Sequence, residues 1–237
     1  MVVKAVMFDF GATLILDDKF DYFGSLRKAH KILEDAGIAP SFEEFKPGYL
    51  KVRERLWGDP EFREYSYNYR LAEVLKLYGC ILPDSDKRIQ EATDVFSLAL
   101  IDSLYMEDYL PDLLEQLHKR YQLAVVSNLG IPEVLPIALD KFGIGKHFDA
   151  IIASGTVGYR KPGSIIFKEA LSMLDVLPEE TVFVGDSLYH DVQGAKAVGM
   201  KTVWLKRKNQ TNGISVSTAP DKTINDLKEL SELLETL

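Results

Sequence analysis

Hydrophobic and polar positions along this 237-residue chain follow two rhythms in turn. The chain opens with VVKAVMF, a short β-branched run that stops abruptly at Asp9 and reads as a buried strand. From about Phe20 to Tyr105 apolar residues recur at helical spacing. DYFGSLRKAHKILEDAG closes at Gly37. SFEEFKPGYLKVRERLW starts on Ser41 with Glu44 three residues later, a capping-box signature, and Pro47 predicts that this helix begins after Lys46. EFREYSYNYRLAEVLKLYG runs to Gly79 as a third helix, which puts Phe62, Tyr65 and Tyr69 on one face at spacings of three and four. DSDKRIQEATDVFSLALIDSLY follows Pro83. No strand is predicted in this stretch.

Beyond Tyr105 strands and helices alternate. LPDLLEQLHKR is a helix and YQLAVVS a strand; PEVLPIALDKFG, with Pro132 near its first turn, is a helix and FDAIIAS a strand. PGSIIFKEALSML is a helix opened by Pro162, TVFVGD a strand, DVQGAKAVG a helix closed by Gly199, and KTVWL a strand. The tail INDLKELSELLETL is amphipathic and helical, and the polar segment Arg207–Asp221 reads as a surface loop. This order implies right-handed βαβ units, hence an α/β fold with a mostly parallel sheet. The helical block is an insertion: residues 1–14 and 107–237 form the core, residues 15–106 an all-α domain.

Composition narrows the functional classes. With 46% hydrophobic and 27% charged residues the chain is globular, and a net charge of -8 without a basic run argues against nucleic acid or an anionic membrane as partner. Cys80, the single cysteine, excludes an intramolecular disulfide and multi-thiolate zinc sites and reads as a buried, inert thiol. The N-terminal apolar run is too short for a signal peptide and contains Lys4. No stretch reaches the ~20 apolar residues of a membrane span, so a cytoplasmic protein is expected.

The chemistry-bearing residues fall at element boundaries. Asp9 ends the first strand, and in a parallel sheet that edge faces the ligand crevice. A carboxylate there is either a nucleophile or a turn former. Asp186 directly follows Gly185 at the end of TVFV, and Asp191 opens the next helix, as cap, as ligand or as both. Acids converging on one crevice repel each other unless a cation neutralises them, and Mg²⁺ suits such hard oxygen donors. A backbone carbonyl is an acceptable further ligand, so Gly11 qualifies without a side chain. Ser127 and Asn128 close the strand LAVV, either as an ordinary turn or as a phosphate cradle with the following backbone N–H groups. Lys161, in the loop GYRKP, either pairs with Asp9 and a transferring phosphoryl group or is an ordinary solvated surface charge; its neighbour Arg160 reads as a solvated surface charge, with an exchange of roles between the two left open.

DFGAT, VVSN, YRKP and VGDSLYHD occur in this order, and together they resemble the four motifs of the haloacid dehalogenase superfamily. The resemblance covers the first 14 residues and everything after about Tyr105, with further similarity in KPGSIIFKEAL and DVQGAKAVGM. It implies a Rossmann-like core and a helical cap inserted between the first and second motifs. By the same resemblance Asp9 attacks phosphorus and becomes an aspartyl phosphate. The Gly11 carbonyl and the Asp9 and Asp186 side chains hold Mg²⁺, with Asp191 in support. Thr13, Ser127, Asn128 and Lys161 surround the phosphoryl group of a small phosphorylated substrate, Thr13 also bracing the nucleophile loop.

One departure stands out. Gly11 occupies the place of the family's second aspartate, the general acid and base, a function worth about 10²–10⁴ in rate. The implied activity is therefore a weak Mg²⁺-dependent phosphohydrolase. Rival readings are a catalytically idle binding or regulatory protein, a dehalogenase, or a phosphonatase using Lys46 or Lys51. His190, Asp17 and Asp18 are the candidates to replace the missing acid, although His190 also reads as a turn histidine facing solvent. Trp57, Phe62, Tyr65 and Tyr69, with Arg53, Arg63 and Arg70, concentrate in the middle of the inserted helices. They pack a core or, if an arginine enters the crevice, favour an anionic substrate.

Overall fold

All four residues of β1 (Ala5–Phe8) are buried, which requires strand neighbours on both edges and covered faces. The computed structural model describes residues 2–17, 19–207 and 218–237. The chain divides into two compact units, Asp17–Leu104 and the combination of Met1–Leu16 with Tyr105–Leu237.

The described residues of the Asp17–Leu104 unit form four helices. Asp21 caps α1 (Tyr22–Asp35), accepting from the Gly24 amide at 2.9 Å, and Gly37 at φ 68° ends the turn that follows the helix. α2 (Phe42–Trp57) starts earlier than Pro47 suggests and runs through it. The Glu44 and Phe45 amides both donate to the Ser41 carbonyl, and Phe42 and Phe45 are buried. That anchored first turn outweighs the one hydrogen bond a proline removes. The expected capping box does not form. Ser41 Oγ donates to Glu44 Oε2 at 2.7 Å and makes no bond to the helix backbone.

α3 (Tyr67–Leu77) begins only at its cap Ser66, which accepts from the Tyr69 amide at 3.0 Å. Phe62, at φ 57°, and Tyr65 precede it, so the three aromatics share no helical face; Tyr65 and Tyr69 nevertheless stack, with ring centroids 5.4 Å apart. α4 (Lys87–Ser103) completes the unit around Leu26, Leu33, Phe45, Leu71 and Phe96. Cys80 is half-buried rather than fully buried.

Where the chain leaves and re-enters the other unit, Leu16 and Tyr105 exchange backbone hydrogen bonds of 2.9 and 3.0 Å. The elements that follow are α5 (Leu110–His118), β2 (Gln122–Ser127), α6 (Val134–Lys141), β3 (Ala150–Ala153), α7 (Ser154–Val157), α8 (Ser164–Leu174) and β4 (Thr181–Gly185). A π-helical segment, Leu188–Gln193, then runs into α9 (Gly194–Ala197), followed by β5 (Lys201–Leu205), β6 (Lys222–Ile224) and α10 (Leu230–Leu234). The sheet is six-stranded and parallel, in the order β3-β2-β1-β4-β5-β6. Phe8 stands level with Val125 of β2 and Val184 of β4. The three central strands therefore end together, where such sheets bind ligands.

Three local expectations change. Asp191 lies inside the π-helical segment rather than opening a helix, and Ser187 is its cap. α8 begins two residues after Pro162. β6 adds an edge strand, too short to show a period, just past the segment read as a surface loop; residues 208–217 of that segment lie outside the described residues. Asp221 ties this return to β5 by accepting from the Thr202 amide and hydroxyl at 2.8 and 2.9 Å. Among the described residues no helix is long and apolar enough to cross a membrane.

On one face of the sheet Met7, Ala124, Val126, Ile152 and Phe183 pack against Phe167 of α8 and Ala195 of α9. Gly194 permits this approach, since a Cβ there would lie 2.6 Å from Phe167 Cε2 and 3.0 Å from Pro162 Cα. In an open helix Gly→Ala gains up to about 1 kcal/mol, but overpacking costs about 1–3 kcal/mol. Gly194→Ala should therefore lower the urea midpoint. An unchanged or higher midpoint would mean that the Phe167 ring yields.

Candidate active site

The site is assembled around one buried amine. Lys161 is 2% exposed, and its Nζ donates to Asp9 Oδ1 at 2.7 Å, Asp191 Oδ1 at 2.7 Å and the Val126 carbonyl at 2.9 Å. All three of its N–H bonds are used. Burial opposes its charge, but the attraction of Asp191 and Asp9 outweighs that and holds its pKa above the usual lysine value. Asn128 fixes the lysine from behind: its amide donates to the Lys161 carbonyl at 2.9 Å and its carbonyl accepts from the Lys161 amide at 2.7 Å. The Asn128 side chain is thus engaged in positioning the lysine. Ser127 is buried at the end of β2.

Asp9 follows β1 directly, and its amide donates to the Val184 carbonyl at 2.9 Å. Asp191 accepts the Ser187 amide on Oδ2 at 2.8 Å. A Cβ on Gly185 would come within 2.4 Å of that oxygen, so the end of β4 must be glycine. Carboxylate oxygens of Asp9, Asp186 and Asp191 all lie within 4.8 Å of one another. Three carboxylates thus face one ammonium. Burial, then Asp9 and Asp191, push the Asp186 pKa up to about 8. Burial likewise raises that of Asp191 against the pull of Lys161. The sequence-selected Asp9, Ser127, Asn128, Lys161, Asp186 and Asp191 therefore all occupy one edge of the sheet.

The loop after Asp9 winds back on itself. The Leu14 and Ile15 amides donate to the Phe10 carbonyl at 3.0 Å, the Ala12 amide to the Ile15 carbonyl at 2.8 Å, and Ala12 stands at φ 55°. An added Cβ on Gly11 would meet nothing within 4 Å. Thr13 is buried, and its Oγ1 has no hydrogen-bond partner among the described residues.

Residues 3–199 match the family model described as haloacid dehalogenase-like hydrolase. The chain belongs to this family. It is 32% identical to a glyceraldehyde 3-phosphate phosphatase of Methanothermobacter thermautotrophicus, over 98% of this chain and 100% of that protein. A glyceraldehyde 3-phosphate phosphatase of Pyrococcus furiosus is 41% identical over 44% of this chain, and the match spans 41% of that relative. Among solved structures, a haloacid dehalogenase-family phosphatase from Thermococcus onnurineus superposes with a TM-score of 0.67 at 27% identity, covering 98% of each chain.

Within this haloacid dehalogenase-like core, two residues that sequence reasoning passed over brace the site. Trp204 Nε1 donates to the Asp186 carbonyl at 2.7 Å. Arg207 donates from Nε to the Ala12 carbonyl at 2.8 Å and from Nη2 to the Thr13 carbonyl at 2.9 Å. The available signal was their place at the end of KTVWL, on the edge that carries the acids. Two other readings are corrected. Arg160 is 3% exposed, not a solvated charge. His190 is half-buried with Nδ1 3.2 Å from Ser187 Oγ, and burial lowers its pKa. Asp18 lies outside the described residues.

Hydrogen bonds from charged donors contribute ~1.5–3 kcal/mol each. Losing the Arg207 pair should accordingly loosen the loop after Asp9. In Arg207→Ala, amide exchange at Leu14 and Ile15 should accelerate by at least about tenfold, with β4 unaffected. Equal protection in both proteins would show that the loop holds itself.

Proposed function

We propose that this chain is a Mg²⁺-dependent phosphohydrolase that cleaves the ester of a small phosphorylated metabolite through an aspartyl phosphate on Asp9. The observation that carries this reading is the Lys161 ammonium wedged between Asp9 and Asp191 with Asp186 beside them. The phosphatases among its relatives support the substrate class.

The residues fit a divalent cation. The cluster offers hard oxygens only, its carboxylates outnumber the ammonium, and burial together with Asp9 and Asp191 disfavours the charged form of Asp186, a penalty that a cation would relieve. Asp9, Asp186 and the Gly11 carbonyl would hold Mg²⁺, with Asp191 supporting. When bound, the ion supplies charge neutralisation for the incoming phosphoryl oxygens.

The carboxylate oxygen of Asp9 not held by Lys161 attacks phosphorus in line, and the bond from phosphorus to the ester oxygen breaks as the acyl phosphate forms. With Gly11 in place of an acid, the leaving oxygen takes its proton from solvent. Water then attacks the phosphorus of the acyl phosphate, releasing inorganic phosphate and restoring Asp9. Ser127, Thr13 and the backbone N–H groups after β2 hold the phosphoryl oxygens, while Lys161 fixes Asp9. Asn128 acts by positioning Lys161. The core unit carries this chemistry and the helical unit serves as the cap that selects the substrate.

With Mg²⁺, an activated aryl phosphate should be hydrolysed, and Asp9→Asn should lower kcat by on the order of 10³-fold or more. Chelation by EDTA should abolish turnover reversibly. Hydrolysis by Asp9→Asn at the parent rate would remove Asp9 as nucleophile, and no hydrolysis by the parent would favour an idle protein.

At Gly11 an added Cβ would meet nothing within 4 Å, so Gly11→Asp starts without a clash. It should raise turnover of alkyl phosphates by about 10²-fold or more, with a smaller gain on aryl phosphates whose leaving groups need no proton. Equal gains on both would refute the missing-acid explanation.

A further inference from the structure

The helical unit contains a second polar cluster. Tyr22 of α1, Tyr49 and Arg53 of α2, and Tyr67 and Arg70 of α3 come together there. The Tyr22 and Tyr49 hydroxyls are 2.5 Å apart, and Arg70 Nη1 donates to the Tyr49 hydroxyl at 3.4 Å. The Arg53 guanidinium lies 5.0 Å from the centre of the Tyr22 ring, and that of Arg70 5.7 Å from the centre of Tyr67.

Charge and hydrogen bonding are both unbalanced here. Arg27, Arg55, Arg63 and Arg88 of this unit each meet a carboxylate, on Glu43, Glu73, Glu61 and Asp86. Among the described residues Arg53 and Arg70 form no such pair, although they belong to one cluster. Tyr67 is 3% exposed, yet among the described residues its hydroxyl has no hydrogen-bond partner, and the buried Nε of Arg70 has none either. Buried polar groups are nearly always satisfied, because leaving one unpaired is costly. Burial, and after it the Tyr49 and Tyr22 hydroxyls, raise the Tyr67 pKa well above its ordinary value, so it remains a neutral donor. Thr13 Oγ1, in the loop that follows Asp9, is likewise without a partner among the described residues.

We propose that Arg53, Arg70 and the hydroxyls of Tyr22, Tyr49 and Tyr67 form a binding site for one small oxyanion, a carboxylate or a phosphate. Two guanidinium groups provide charge and planar paired donors, which match that geometry and reject cations. The Tyr67 hydroxyl and Arg70 Nε are the donors that the protein leaves for the ligand. The anion is either an acidic group of the substrate, which rests on the phosphohydrolase reading above, or a free anion bound independently of catalysis.

The test uses the full chain without metal, titrated with inorganic sulfate at constant ionic strength. The ¹⁵N Nε–Hε resonance of Arg70, assigned by its loss in Arg70→Lys, should shift saturably. Tyr67→Phe and Arg53→Gln should each raise the sulfate Kd by about tenfold or more, and Tyr67→Phe should fold with undiminished stability because its hydroxyl is unpaired. No saturable shift, or a Kd unmoved by both substitutions, overturns the site.

The source of the anion is read separately, from two phosphate esters with matched leaving groups, only one of which bears a carboxylate. Arg70→Gln should raise KM at least about tenfold for the acidic ester alone, with kcat kept, if the anion belongs to the substrate. KM unchanged for both esters, with the sulfate shift present, assigns the site to a free anion. Failure of the parent to hydrolyse either ester would count against the phosphohydrolase reading while leaving the sulfate result to decide this one.

Discussion

A buried ammonium must have partners, and the candidate site is arranged around that requirement. Lys161 is removed from water, and two carboxylates and a carbonyl replace its hydration. Breaking such a buried pair by removing one member typically costs about 3–5 kcal/mol, so Asp9, Asp191 and Lys161 are fixed by mutual necessity. Each belongs to a different segment. Asp9 follows β1, Asp191 lies in the helical turn after β4, and Lys161 sits in the loop before α8, clamped to the end of β2 by Asn128. One ion cluster thereby sets the relative placement of three strand ends.

The backbone answers the same constraint. Gly185 has to lack a side chain because Asp191 Oδ2 occupies the space a Cβ would need. Asp186, whose carboxyl is pushed toward its neutral form by burial and then by Asp9 and Asp191, has its carbonyl held by Trp204. The loop carrying Gly11 turns through a left-handed Ala12, and Arg207 holds the Ala12 and Thr13 carbonyls. Electrostatic preorganisation of this kind needs no reorganisation when charge moves. The supports from Trp204 and Arg207 are therefore as much a part of the site as the acids.

What the sequence made legible was local. Strand β4 ends in Gly-Asp because the apolar run stops there, and the alternation of elements after Tyr105 reports a parallel sheet directly. What it hid was non-local. Pro47 signals a break, but two buried phenylalanines before it keep the first turn helical. Phe62, Tyr65 and Tyr69 have helical spacing, yet Ser66 caps the chain between them and the helix starts afterwards. Arg160 carries the sequence mark of a surface residue and is buried. Arg207 is separated by some two hundred residues from the loop it braces, and no window of sequence contains both partners.

A protein that leaves buried donors unsatisfied gives up stability at those points, and such violations of local consistency are expected where function competes with folding. In the core unit the imbalance is an excess of negative charge with an orphaned threonine hydroxyl nearby in sequence. The helical unit shows the opposite among the described residues: two arginines without acids, and an orphaned tyrosine hydroxyl and guanidinium nitrogen. Neither imbalance follows from packing, because a valine in place of Thr13 or a phenylalanine in place of Tyr67 would fill nearly the same space without an unpaired hydroxyl. Retaining those polar atoms makes physical sense where a ligand supplies the missing partner. The two imbalances then specify complementary chemistries, a cation with phosphoryl oxygens at one and an oxyanion at the other.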